Sequence, residues 1–168
     1  MTKFSTLTAA LLLISVACFS QSTETDATAK KEVSKLAFIA GKWAGKGWMM
    51  MQSGRESFDQ TENVQMKLDS TIVLIEGLGK ANGKVIHNAL AMITSNKDGG
   101  YTFRSYLATG REGQFKAELI GSKLHWYPAE NMRYIIELND KGQWFETGEM
   151  NRDGKWFKFF EMTLDKVK

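Results

Sequence analysis

From Lys42 onward, apolar residues alternate with polar ones in segments of about six to twelve residues, and a turn signal, usually bearing glycine, divides most segments from the next. A period of two is the spacing of a strand with one buried face. Turns at about ten-residue intervals leave little room for crossover helices, so neighbouring strands should be antiparallel. Segments near 42–51, 56–67, 71–80, 84–95, 100–108, 113–120, 123–128, 132–138, 143–151 and 155–164 read as ten strands. The dividers include Ala81-Asn82-Gly83, Asn96 to Gly100, Thr109 to Gly113, Asn139 to Gly142 and Asn151 to Gly154. Asn, Asp and Gly accept the positive φ values that tight hairpins require. The single proline, Pro128, ends a segment instead of interrupting one. Ten consecutive hairpins close most economically into an up-and-down antiparallel barrel, and closure removes the exposed edges of the sheet. The expected fold class is therefore all-β, with a short helix in front.

That helix is expected where Val33, Leu36, Ala37 and Ala40 follow helical spacing and Gly41 provides a stop. Ahead of it, residues 21–31 are polar and lack apolar periodicity, which reads as a disordered leader. Residues 1–20 read as a secretory signal: Lys3 supplies the positive start, and Leu7 to Phe19 form an apolar stretch too short to span a bilayer. The expected location is periplasmic or extracellular. In the alternative, Ser15-Val16-Ala17-Cys18 acts as a lipobox and Cys18 becomes a lipid anchor. Cys18 is the sole cysteine, so no disulfide framework or cysteine-rich zinc site can form. Residues 32–168 make one domain with one core. The full chain's net charge of +3, with both signs interspersed, offers no basic stripe for nucleic acid.

A short helix running into Gly41-Lys42-Trp43 at the head of the first strand resembles the glycine-x-tryptophan signature of lipocalins and the wider calycin superfamily. The segments Gln60-Thr61-Glu62, Leu74 to Gly77, His87 to Leu90, Phe103 to Tyr106 and Lys158 to Met162 resemble a lipocalin-like family of secreted bacterial proteins of unknown function. The resemblance runs from about Leu36 to the end and implies the barrel, with no activity attached. It also implies that Trp43 packs across the closed end, against a basic side chain from the last strand.

Polar residues within strands are the functional candidates. His87 shares a face with Ala89, Ala91 and Ile93, while Asn88 shares the other with Ile86, Leu90 and Met92, so one of the pair is interior. Arg104 and Tyr106 share a face, and Glu146 and Glu149 fall on opposite faces unless Gly148 marks a bulge. Trp48, Met50 and Gln52 alternate against Met49 and Met51, and one of these faces lines a cavity. The candidate ligand-binding set is Trp48, His87, Asn88, Arg104, Tyr106 and Glu146, a few polar groups fixing the head of a small, mainly apolar molecule.

Catalytic chemistry finds little to stand on. With two histidines and no cysteine beyond the signal, neither a thiol nucleophile nor a multi-histidine zinc site can be assembled, and no nucleophile elbow or phosphate-cradling loop occurs. The alternatives to a ligand carrier are a haem-binding barrel resembling the nitrobindins, with His87 or His125 as axial ligand, and a packed structural protein. The latter would meet a partner or form a homodimer through the aromatic run Trp156 to Phe160.

Overall fold

The computed structural model describes residues 24–168, so the stretch expected to be a secretory signal and the first residues of the expected leader lie outside the described part. Ten strands follow a short helical lead: β1 (Gly41–Met51), β2 (Gly54–Lys67), β3 (Ile72–Ala81), β4 (Lys84–Ser95), β5 (Tyr101–Leu107), β6 (Glu112–Ile120), β7 (Lys123–Ala129), β8 (Met132–Leu138), β9 (Trp144–Arg152) and β10 (Lys155–Val167). Each pairs antiparallel with its sequence neighbours, and β1 pairs with β10 to close the barrel. The bounds lie within three residues of those expected from the alternation. Asn82-Gly83 and Asp153-Gly154 both have positive φ at the two positions, 51° and 74° and then 52° and 80°, as two-residue hairpins require.

The helical lead differs from its expected place. Helix α1 covers Ala27–Ser34 and begins inside the stretch read as leader, because the Asp26 side chain caps it by accepting from the backbone N–H of Thr28 and Ala29, each at 2.9 Å. A separate 3-10 turn, Ala37–Ile39, carries the chain into β1. Val33, Leu36 and Ile39 are fully buried, so the lead is a plug over one end of the barrel. The Tyr101 hydroxyl fastens it by donating to the Glu32 carbonyl at 3.0 Å.

At that closed end Trp43 is 1% exposed, donates its indole N–H to the Ile39 carbonyl at 2.8 Å, and meets Trp144 edge to face at 6.0 Å. The Lys166 ammonium of β10 sits 5.2 Å from the Trp43 ring centroid. Both the plug and its basic partner on the last strand are where the resemblance put them. The odd hairpins, β1–β2 through β9–β10, crowd the opposite end, which is open.

Candidate functional site

Register determines what faces the lumen. Trp43 pairs with Glu62, Glu62 with Gly77, Gly77 with Ala89 and Ile75 with Ala91. Around the rest of the barrel Ala91 pairs with Ser105, Phe103 with Phe115, Ala117 with Trp126, Trp126 with Tyr134, Ile136 with Glu146 and Glu146 with Met162. Directly paired residues share a face, so all of these point inward. Inside, Phe103, Trp126 and Tyr134 form a column of near-parallel rings with centroids 4.6 and 4.5 Å apart, and Phe58 stacks on Phe160 at 5.6 Å. One wall of the lumen is thus aromatic and flat.

The cavity runs from the mouth inward. Its outer part, about 500 Å³, is lined by residues that include His87, Ser105, Arg111, Phe115, Trp126 and Tyr134. Two inner pockets of about 180 and 100 Å³ share Glu62, His87, Trp126 and Glu146. Small residues make the room: a Cβ on Gly77 would lie 2.9 and 3.0 Å from the Glu62 carboxylate oxygens, and one on Gly79 would lie 2.6 Å from the Gln60 amide oxygen. The β3 glycines therefore let the polar side chains of β2 lie flat across their strand.

Glu62 and Glu146 are each 7% exposed. The Gln60 amide donates to Glu62 Oε1 at 2.7 Å, whereas Glu62 Oε2 is buried without a hydrogen-bond partner. The Trp144 indole N–H donates to Glu146 Oε2 at 3.2 Å. Trp126 Nε1 is buried without a well-formed hydrogen bond, although the indole still favours the charged form of Glu146. Burial pushes the Glu62 carboxyl up to about 7, against the pull of Gln60. Burial first, and then the charge of Glu62, push Glu146 up to about 8. Burial also holds His87 below the ordinary histidine range, and raises Tyr134 with a further contribution from Glu146.

Of the six candidate residues, His87 and Glu146 face the lumen and four do not. Asn88 follows His87 onto the outer face, where it borders a groove with Tyr106 and Glu76. Arg104 and Tyr106 alternate against the inward Phe103 and Ser105, and Arg104 donates to the Thr94 hydroxyl at 3.4 Å. Trp48 is also outside, because its β1 neighbours Gly47 and Met49 pair with the inward Met162 and Phe160. Its ring carries the Arg55 guanidinium at 3.7 Å, and its N–H donates to Glu161 at 3.3 Å. The proposed cluster of Arg104, Tyr106, Glu146 and His87 is therefore split between the two faces of the wall. Opposite orientation of Glu146 and Glu149 holds: Glu149 is outside, bridged to Arg133 at 2.7 Å, and Arg133 covers Trp156 at 4.0 Å.

Glu62, Gln60, Trp126 and Tyr134 were missed as site residues. A signal existed for the first two, since Phe58-x-Gln60-x-Glu62-x-Val64 places two polar residues on the face of two apolar ones. The aromatic run at the C-terminus divides as well. A register shift between Lys158 and Phe160 turns Phe159 to meet Tyr134 at 5.6 Å, while Trp156 and Phe157 stay 38% and 52% exposed.

Of the two histidines offered as haem ligands, the fold brings one to the lumen. His125 is on the outer face, pairing with Glu118 and Ile135, so its imidazole does not reach the lumen. His87 does reach it, lining the outer cavity and both inner pockets. No cluster of metal-ligating side chains occurs among the described residues, and no helix among them is long and apolar enough to cross a membrane.

No protein-family model and no curated protein sequence matches the chain. Among solved structures, the crystal structure of Rv2717c from M. tuberculosis is similar, with a TM-score of 0.60, 11% identity, and coverage of 81% of this chain and 97% of that one. At that identity the likeness speaks for the fold alone. Together with the closed ten-strand antiparallel sheet, it fits a calycin-like barrel fold.

Proposed function

We propose that this protein is an exported carrier whose lumen binds a small, mainly apolar, flat molecule. The observation that carries the reading is a ring-walled cavity, open at one end, that narrows onto buried polar groups with one carboxylate oxygen unpartnered. An apolar pocket with a few placed polar groups is the usual form of a small-molecule site, because the walls supply affinity and the polar groups fix orientation. Met50, Met51, Val85, Ile86 and Phe157, exposed on hairpins at the open end, give the mouth an apolar rim. The lysine-started apolar stretch at residues 3–19 supports export.

N-phenylnaphthylamine, uncharged at neutral pH and fluorescent when desolvated, tests the reading by titration. Ser105→Phe fills a position that lines both the outer cavity and an inner pocket, and should weaken dye binding about tenfold, or about 1.4 kcal/mol. Arg104→Ala, one residue away on the outer face, should leave it unchanged. Wild-type protein that fails to bind the dye, or equal loss in the two folded variants, would overturn the proposal.

A further inference from the structure

We propose that the ligand's polar head is a basic nitrogen, an ammonium or amidinium group, held between Glu62 and Glu146 at the inner end of the lumen. This rests on the carrier reading above and names the chemistry of its deepest contact. Both carboxyls line both inner pockets, and each is more than nine-tenths buried. One oxygen of Glu62 has no partner, and a buried acceptor left unmade is costly. Of the donors beside them, the Gln60 amide is committed to Glu62 and the Trp144 indole to Glu146, which leaves the Trp126 indole N–H, a single neutral donor, for two acids.

Among the described residues no cation answers these two acids. The titratable groups facing them from other strands are His87 of β4, partly solvent-exposed at the cavity and held below the ordinary histidine range by partial desolvation, and Tyr134 of β8, whose hydroxyl is held neutral. Arg111 and Glu112 stand together at the outer cavity, and Lys166 lies beyond the Trp43 ring at the closed end. The ring faces of Trp126, Tyr134 and Phe160 line the same inner pocket and carry negative quadrupoles, which also favour a cation. A cationic head would let both carboxyls ionise and would release protons to solvent on binding. An alcohol or carbonyl would satisfy a single proton, and an anion would be repelled.

Displacement of N-phenylnaphthylamine by three probes of one shape decides the matter: phenethylamine, phenylpropanol and hydrocinnamate, compared at pH 7.5. Phenethylamine should compete at a concentration at least about tenfold below that of the alcohol, with the acid weakest. Its affinity should rise between pH 6 and 8.5 as the carboxyls lose their protons. In Glu62→Gln/Glu146→Gln the amine should lose its advantage while the dye still binds. If that double variant fails to fold, the order of the three probes on wild-type protein decides alone. Alcohol or acid competing as well as the amine, none of the three competing, or an amine preference that survives in the folded double variant would overturn the inference and leave the carrier reading intact. Failure of the dye to bind wild-type protein would overturn both.

Discussion

The two ends of this barrel solve opposite problems with the same residue types. At the closed end, Trp43 and Trp144 meet edge to face, the helical lead covers them, and each indole N–H is hydrogen-bonded. In the lumen, Trp126 stacks between Phe103 and Tyr134, its N–H is without a well-formed bond, and two buried acids look at each other across open space. A filled, satisfied end gives stability; an unfilled end with unmet polar groups holds stability back for a ligand to restore. The contrast separates the part of the molecule that holds the fold from the part that meets its partner.

Truncating the plug should have the largest effect. Trp43→Ala removes a fully buried indole and should destabilise the chain by about 3–5 kcal/mol in urea unfolding. The dye should still bind in the fraction that remains folded. A loss below about 1 kcal/mol would mean that the closed end is not the structural half.

The lumen should reveal itself through pH. Glu62 and Glu146 both lie above the 4.5 of a free glutamate, at about 7 and about 8. The folded chain therefore holds their protons more tightly than the unfolded one. That contribution is full below about pH 4.5 and is lost as pH rises through 7 and then 8. A shift of the size at Glu62 corresponds to about 3 kcal/mol. Thermal denaturation of the unliganded protein should accordingly show a falling Tm from pH 5 to 8.5, and Glu62→Gln/Glu146→Gln should flatten the fall. A Tm that rises over this range in wild type would contradict the picture of two uncompensated buried acids.

Gly77→Ala sharpens the comparison with a smaller change. The new methyl meets the Glu62 carboxylate, so the acid must move or the strand must give. Overpacking of this kind costs about 1–3 kcal/mol, and the amine preference should fall more than stability does. An equal substitution cost with unaltered probe binding would show that Glu62 need not lie across β3.

Much of this was legible beforehand. Asn82-Gly83 and Asp153-Gly154 are turn chemistry that forces hairpins whatever surrounds them, so strand number and limits could be read locally. The place of Trp43 at the closed end was implied by the resemblance that Gly41-Lys42-Trp43 carries, and the residue is buried there. The helix start was misplaced because apolar spacing marks a buried stripe, whereas Asp26 acts through the backbone and leaves no apolar trace.

Faces were harder. Tyr101 to Tyr106 carries rings on both sides of the strand, and alternation shows only that Arg104 and Tyr106 lie opposite Phe103 and Ser105. The same ambiguity applied to Trp48 beside Met49. Each strand offers two choices of inside, and the register that links it round the closed sheet removes one.

The sequence alone therefore determined a ten-stranded antiparallel barrel, because turns and alternation act over a few residues, while the tryptophan plug was what the resemblance at Gly41-Lys42-Trp43 implied. Only the tertiary structure decided what the barrel encloses. Glu62 on β2 and Glu146 on β9 are distant in sequence and carry no shared local signal. They face one cavity because closure through β1 and β10 brings their strands round to a common interior.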